Sequence, residues 1–116
     1  MKNLNVSVVD EILKIGDESI DFPFPLAEAM VMGEKIIIRA GSQTKPINND
    51  RNVYALDYDG KVLWRIELCP YGGERSKPYT IIYSLGSETL VAGNWIGYDF
   101  YVDLKDGHIT LKAFTK

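Results

Sequence analysis

The chain is cut into short apolar or alternating runs, none of them long enough for a sizeable helix. The runs are Val6 to Val9, Glu11 to Ile15, Ser19 to Phe22, Ala29 to Met32, Lys35 to Ala40 and Val53 to Asp57, then Val62 to Leu68, Tyr79 to Leu85, Thr89 to Gly93, Tyr98 to Leu104 and His108 to Phe114. They are rich in Val, Ile, Tyr, Phe, Trp and Thr, and Gly, Asp, Asn and Pro separate them at close intervals, which is the pattern of strands joined by tight turns. A period of 3.6 is sustained nowhere. Pro25 to Met32 is ambiguous, because Leu26, Ala27, Glu28, Ala29 and Met30 are good helix formers behind a proline suited to a first helical position. The turn-like Met32-Gly33-Glu34-Lys35 and the apolar Ile36-Ile37-Ile38 that follow make it a strand. The expected fold class is therefore all-β. With 116 residues, 46% of them hydrophobic and 25% charged, the chain has the length of one domain and the balance of a folding sequence.

The second half repeats the first. Ile38-Arg39-Ala40-Gly41 answers Leu90-Val91-Ala92-Gly93, and the ten residues from Val53 to Val62 answer those from Phe100 to Ile109. In both copies a strand reaches an Asp, turns through Asp-Gly and returns as Lys61-Val62-Leu63-Trp64 or His108-Ile109-Thr110-Leu111. Glycine supplies the positive φ that such a turn requires. A spacing of about 46 residues with about four strands per copy is the size of one propeller blade.

The string Asn52 to Glu67, NVYALDYDGKVLWRIE, resembles the repeat of pyrroloquinoline-quinone-type propeller proteins. In that family Ala-Leu-Asp ends the third strand of a blade, Gly permits the turn, and Trp on the fourth strand packs between blades. The resemblance gives those roles to Ala55, Leu56, Asp57, Gly60 and Trp64. The second copy departs from it, with Leu111 or Lys112 where a Trp is expected. The chain has room for two blades plus N-terminal hairpins, whereas a closed propeller needs at least about four. The quinone resides in whole propellers, so no cofactor is implied. The expected organisation is N-terminal hairpins over residues 1–26, one blade-like repeat over 27–68 and a second over 78–116: antiparallel meander sheets resembling two to three blades of a partial β-propeller.

This arrangement sorts the loops onto two ends. The connectors Ser42 to Asn52 and Asn94 to Gly97, with the blade-to-blade loop Cys69 to Pro78, bring Lys45, Asp50, Arg51, Tyr71, Glu74, Arg75, Lys77 and Trp95 together. The hairpin turns gather Glu34, Asp57, Asp59, Glu88, Asp103 and Asp106 against Lys35, Lys61 and Lys105, a net acidic end. Further acidic residues come from the N-terminal segment, a solvated face by default.

Chemistry-bearing groups are few. Asp57-Tyr58-Asp59-Gly60 opens like a calcium loop, but that loop has its Gly at position 6 and Glu at 12, where this chain has Leu68, so it reads as a hairpin turn. His108 is the only histidine, which rules out a two-histidine metal site and leaves a turn residue. Cys69, the only cysteine, precedes Pro70 with no histidine near in sequence and reads as a buried or half-buried thiol at a strand end. Gly72, Gly73, Ser76 and Lys77 lack the spacing and following helix of a phosphate loop. Trp64 reads as core by strand alternation. Trp95 reads either as a binding anchor or as an aromatic filling the gap between blades. Tyr71 is the tyrosine whose loop position argues for contact.

No catalytic constellation stands out, and an open stack of blades has apolar faces to cover. Self-association into a ring, a protein partner or capping by the N-terminal hairpins would each do so. These properties favour a binding module, not an enzyme. A small acidic chain of strands without an active site resembles, in type, the bacterial immunity proteins, inhibitors produced beside a secreted or contact-delivered toxin, some of which are similar to propeller fragments. The resemblance implies a stoichiometric mechanism. A net charge of −3 steers the chain onto a basic toxin domain, such as a nuclease, and aromatic anchors occlude its active site. The expected partner contacts are Asp50, Tyr71, Glu74, Trp95, Tyr98 and Asp99, with no catalytic residue, cofactor or metal. The alternative is a self-assembling partial propeller acting as a scaffold or small-ligand module, so a homo-oligomer is the other expected assembly. Nucleic acid and membrane are not expected partners, since the charge is acidic and no apolar run approaches the roughly twenty residues of a membrane span. A lone cysteine and the lack of a signal-like apolar start point to the cytoplasm.

Overall fold

A computed structural model describes residues 5–41 and 49–115, and in it eleven strands form three antiparallel sheets. The first sheet holds β1 (Val6–Val9), β2 (Ile12–Ile15) and β3 (Glu18–Ile20). The middle sheet is the meander β4 (Leu26–Met32), β5 (Lys35–Ala40), β6 (Val53–Leu56) and β7 (Val62–Arg65). The third is a second meander, β8 (Tyr79–Leu85), β9 (Thr89–Asn94), β10 (Tyr98–Val102) and β11 (Ile109–Phe114). Neighbouring strands are hydrogen-bonded in chain order throughout, the arrangement of a partial propeller. Lys45 and most of the connector after β5 lie outside the described residues. Among the described residues no helix is long and apolar enough to cross a membrane.

The three sheets stack face to face, and the middle one is buried on both sides. Strand side chains alternate between faces, so Ile36, Ile38, Tyr54 and Leu56 meet the first sheet at Leu13 and Ile15. Ile37, Val53, Ala55 and Trp64 meet the third sheet at Tyr79, Ile82, Leu90, Ala92, Phe100 and Val102. This double burial explains why β5 and β6 read as continuous apolar runs, while edge strands such as β1 alternate. It also settles Leu26–Met32 as a strand: Ala29 faces the first sheet and Met30 and Met32 the third, an alternation that a helix would break. Tertiary burial outweighs the helical preference of these residues.

The N-terminal strands cover one face of the middle sheet, adding a third layer to the stack. Their two hairpins share β2 and form one three-stranded sheet. Its β1–β2 turn places Asp10 (φ 52°) and Glu11 (φ 68°) in the left-handed region, and the strand begins after Glu11, at Ile12. The Glu11 carbonyl accepts from Leu26 N at 2.9 Å, which ties this turn to the start of β4.

The internal repeat is present with a shifted alignment. Asp57 N donates to Lys61 O at 2.9 Å, whereas Asp103 N donates to His108 O at 2.8 Å, so the second turn is one residue longer. Asp57 therefore corresponds to Asp103, and Tyr54 to Phe100, where the sequence match had aligned Val53 with Phe100. Leu56 pairs with Ile36 and Val102 with Leu90, so Leu90 answers Ile36 and not Ile38. A one-residue slip exchanges the two faces of a strand, and only the shifted alignment keeps Tyr54 and Phe100 on the face that looks toward the preceding sheet.

Two polar pins join the middle and third sheets. Asn52 is fully buried; its Nδ2 donates to Ala40 O at 2.9 Å and Tyr79 O at 2.8 Å, and its Oδ1 accepts from Tyr79 N at 2.8 Å. Trp64 Nε1 donates to Leu104 O at 2.7 Å, with the ring packed where a Cβ on Gly107 would come within 2.7 Å of it. Tyr79 adds a third link, its hydroxyl donating to Glu67 O at 2.8 Å. Burial, reinforced by Cys69 and Glu67, pushes this phenol well above its ordinary value of 10.0. The folded chain thus holds the proton at pH values where the unfolded chain has lost it. Stability from this group is intact below pH 10 and falls as the pH rises further, by up to about 1.4 kcal/mol per pH unit. Denaturant titrations from pH 8 to 11 are expected to show that alkaline loss, and Tyr79→Phe to remove Tyr79's share of it.

Candidate partner-binding surface

The loop between β7 and β8 is built to hold side chains outward. Gly72 adopts φ 93°, a left-handed conformation that favours glycine, and a Cβ there would sit 2.4 Å from Ile96 Cδ1 and force that methyl aside. Lys77, expected on the surface, is buried instead: its ammonium donates to the carbonyls of Gly73 and Arg75, turning a charged side chain into a clamp on its own loop. Arg75 Nε donates to Gly72 O at 3.0 Å, and Cys69, buried as expected, directs its thiol toward Tyr71 O at 3.5 Å.

This hydrogen-bonded loop meets the β9–β10 turn, where Asn94 Oδ1 accepts from Tyr98 N at 3.0 Å and Asn94 O from Gly97 N at 3.2 Å. Asn94 Nδ2 is a buried donor without a hydrogen-bond partner among the described residues. Trp95 Nε1 donates to Ser76 O at 3.0 Å, and the Arg75 guanidinium lies 5.5 Å over the Trp95 ring. Ser76 in turn donates to Asp50 Oδ1 at 2.9 Å. Beside them Tyr71 stacks on Tyr98 at 4.9 Å, and Tyr98 on Phe114 at 4.4 Å. Trp95, Tyr71 and Phe114 are 48%, 40% and 52% exposed, which is high for side chains so firmly held.

Arg75, Trp95, Ile96, Tyr98 and Phe114 line an open groove of about 210 Å³. Flat aromatic walls suit an apolar or aromatic side chain, and Asp50 and Glu74 add negative charge around the groove. Of the expected contacts, Asp50, Tyr71, Trp95 and Tyr98 come together here, and Glu74 lies exposed in the same loop. Asp99 does not join them. It alternates with Tyr98 and Phe100, and its carboxylate lies over Gly93 on the opposite face of the third sheet. Phe114 was not singled out from the sequence; its only signal is the register that pairs it with Tyr98, which is a tertiary fact.

The remaining candidates fall elsewhere. His108 is exposed, with Nδ1 2.8 Å from Glu67 Oε1, an oxygen that also accepts from Ile109 N at 2.8 Å. The acidic turn end forms a cleft of about 690 Å³ that Glu34, Glu88, Asp103, Lys35 and His108 help to line. Among the described residues no group of three or more His, Cys, Asp or Glu is placed to hold a metal ion.

Comparison with known proteins places the fold and the family. The chain is similar to two computationally designed proteins of known structure. Ika8 aligns with a TM-score of 0.60 at 14% identity over 94% of this chain, and Ika4 with 0.61 at 13% over all of it. The chain spans about a third of Ika8 (33%) and 68% of Ika4, and the likeness is one of fold. No curated protein matches it. A family model described as a domain of unknown function, DUF7957, matches residues 3–114, which hold all eleven strands, and the chain accordingly belongs to the DUF7957 family.

Proposed function

We propose that the chain is a protein-binding inhibitor of the immunity type, which neutralises a cognate bacterial toxin domain by covering its active site. The observation that carries this reading is the clamped aromatic surface of Tyr71, Trp95, Tyr98 and Phe114. Binding energy at protein interfaces concentrates in a few aromatic and arginine side chains set in preformed pockets, and this patch combines such side chains with an already ordered loop. Ordering it beforehand reduces the entropy lost on association. The net charge of −3, with Asp50 and Glu74 beside the groove, suits a basic partner surface, such as the substrate groove of a nuclease.

The test is co-expression with the C-terminal domain encoded immediately upstream of this chain's gene, read as growth and as co-purification. Rescue of growth with a one-to-one complex supports the reading; toxicity without rescue overturns it. In the complex, Trp95→Ala is expected to weaken binding by roughly 30- to 100-fold, the scale of an interface hot spot. His108→Ala, outside the groove, is expected to leave binding unchanged. Titration calorimetry on the two variants separates these outcomes.

A further inference from the structure

We infer that two copies of the chain join head to tail, the third sheet of each covering the first sheet of the other, to close a ring of six sheets. The inference is independent of the inhibitor reading, because the aromatic groove lies at the strand ends and outside the sheet faces involved.

Each sheet buries its forward face on the next sheet of the chain. The first does so with Leu13 and Ile15, and the middle with Ile37, Ala55 and Trp64. The third sheet has no successor, and its forward face presents Ile81, Leu85 and Tyr101 at 48%, 46% and 42% exposure. At the other end of the stack, the outer face of the first sheet presents the cross-strand pair Val9 and Ile12, also exposed. Both ends are thus unfinished in the same sense that the internal interfaces are finished.

Charge and shape select a second copy in head-to-tail orientation. The third sheet's free face carries Asp99, which lies over Gly93 beside Ile81. The first sheet's free face carries Lys14, paired across the strands with Ser7 and Ser19. Head-to-tail joining brings Lys14 and Asp99 onto the same interface, whereas two third sheets placed face to face would bring two Asp99 carboxylates onto one interface and leave Lys14 outside it. The molecule measures 41 × 30 × 20 Å, with one axis about half the longest, as in half of a disc. The first strand of each sheet lies toward a common side, with β1 against β4 and β8 against β5. Two such halves related by a two-fold axis bury both free ends at once, and a closed ring needs no further subunit.

Sedimentation equilibrium of the full chain tests this. The expected mass is twice 13.1 kDa. Lys14→Glu and Asp99→Lys are each expected to weaken the dimer by at least about tenfold, since every interface then opposes like charges. Mixing the two variants is expected to restore a dimer, because both interfaces regain opposite charges. A monomer at every concentration overturns the inference, as does a dimer indifferent to Lys14→Glu, which would be a face-to-face pairing. Circular dichroism checks folding of each variant. If Asp99→Lys disturbs the fold, Ile81→Lys, at an exposed position, takes its place and must yield a monomer.

Discussion

Replacing Asn52 by leucine is expected to lower the stability of the chain by about 4 kcal/mol, enough to leave a marginal domain largely unfolded at moderate temperature. The side chain makes three buried hydrogen bonds, and leucine makes none. Tyr79 N and the Ala40 and Tyr79 carbonyls would remain inside without partners, each costing about 1–3 kcal/mol. Asn52→Asp separates this from simple packing loss. The carboxylate still accepts from Tyr79 N, but its second oxygen faces two carbonyls, so the variant should be weaker than wild type at neutral pH. It should recover in part at a pH low enough to protonate the carboxyl, which can then donate. Urea titrations of both variants at two pH values check the prediction; equal losses for leucine and aspartate with no acid recovery would contradict it.

Trp64→Ala is expected to cost a similar amount, about 4 kcal/mol, by opening a cavity between the middle and third sheets and removing the bond to Leu104 O. Gly107 lies against this ring. Gly107→Ala in the wild type has to place a methyl 2.7 Å from the Trp64 ring and 3.0 Å from Arg65 O, at φ +79°, for a loss of about 2–3 kcal/mol. With Trp64 already truncated, the ring clash is gone while the Arg65 O contact and the positive φ remain, so the same change loses less. The double variant should therefore be more stable than the sum of the singles by more than about 0.5 kcal/mol, the signature of residues in contact. Strict additivity would show that the clash is not what glycine avoids here.

Much of the architecture is legible in the sequence, for reasons that can be named. Every run read as a strand overlaps one, because β-branched and aromatic residues are bounded by turn residues at close spacing. Gly60 and Gly107 do adopt positive φ, at 87° and 79°, as their Asp-Gly turns require. The candidate surface is partly legible too. Tyr71 and Trp95 stand in loops, where a large aromatic side chain must either fold back or face solvent, and Arg75 and Ser76 hold Trp95 at the surface. Asp99 shows where such reasoning stops. Its neighbour Tyr98 belongs to the groove, but alternation sends Asp99 to the other side of the sheet. Phe114 enters the groove only through the register of β10 with β11, and that register contains a bulge near Asp99 that no local signal announces. Lys77 shows the converse, a charged residue buried because backbone carbonyls of its own loop satisfy it.

The sequence by itself determined which segments become strands and where the chain turns, since those choices rest on backbone preferences within a few residues. It also placed the two meanders in order, through the repeated Asp-Gly turns. Only the tertiary structure decided which side chains share a face and which loops share a surface. Strand faces alternate with a period of two residues, so the extra residue in the Asp103–Gly107 turn changes which repeat positions correspond without changing the local pattern. The Asn52 pin, the Trp64 contact with Gly107 and the stacking of Tyr71, Tyr98 and Phe114 all join residues far apart in the chain, and their geometry exists only once the sheets have packed.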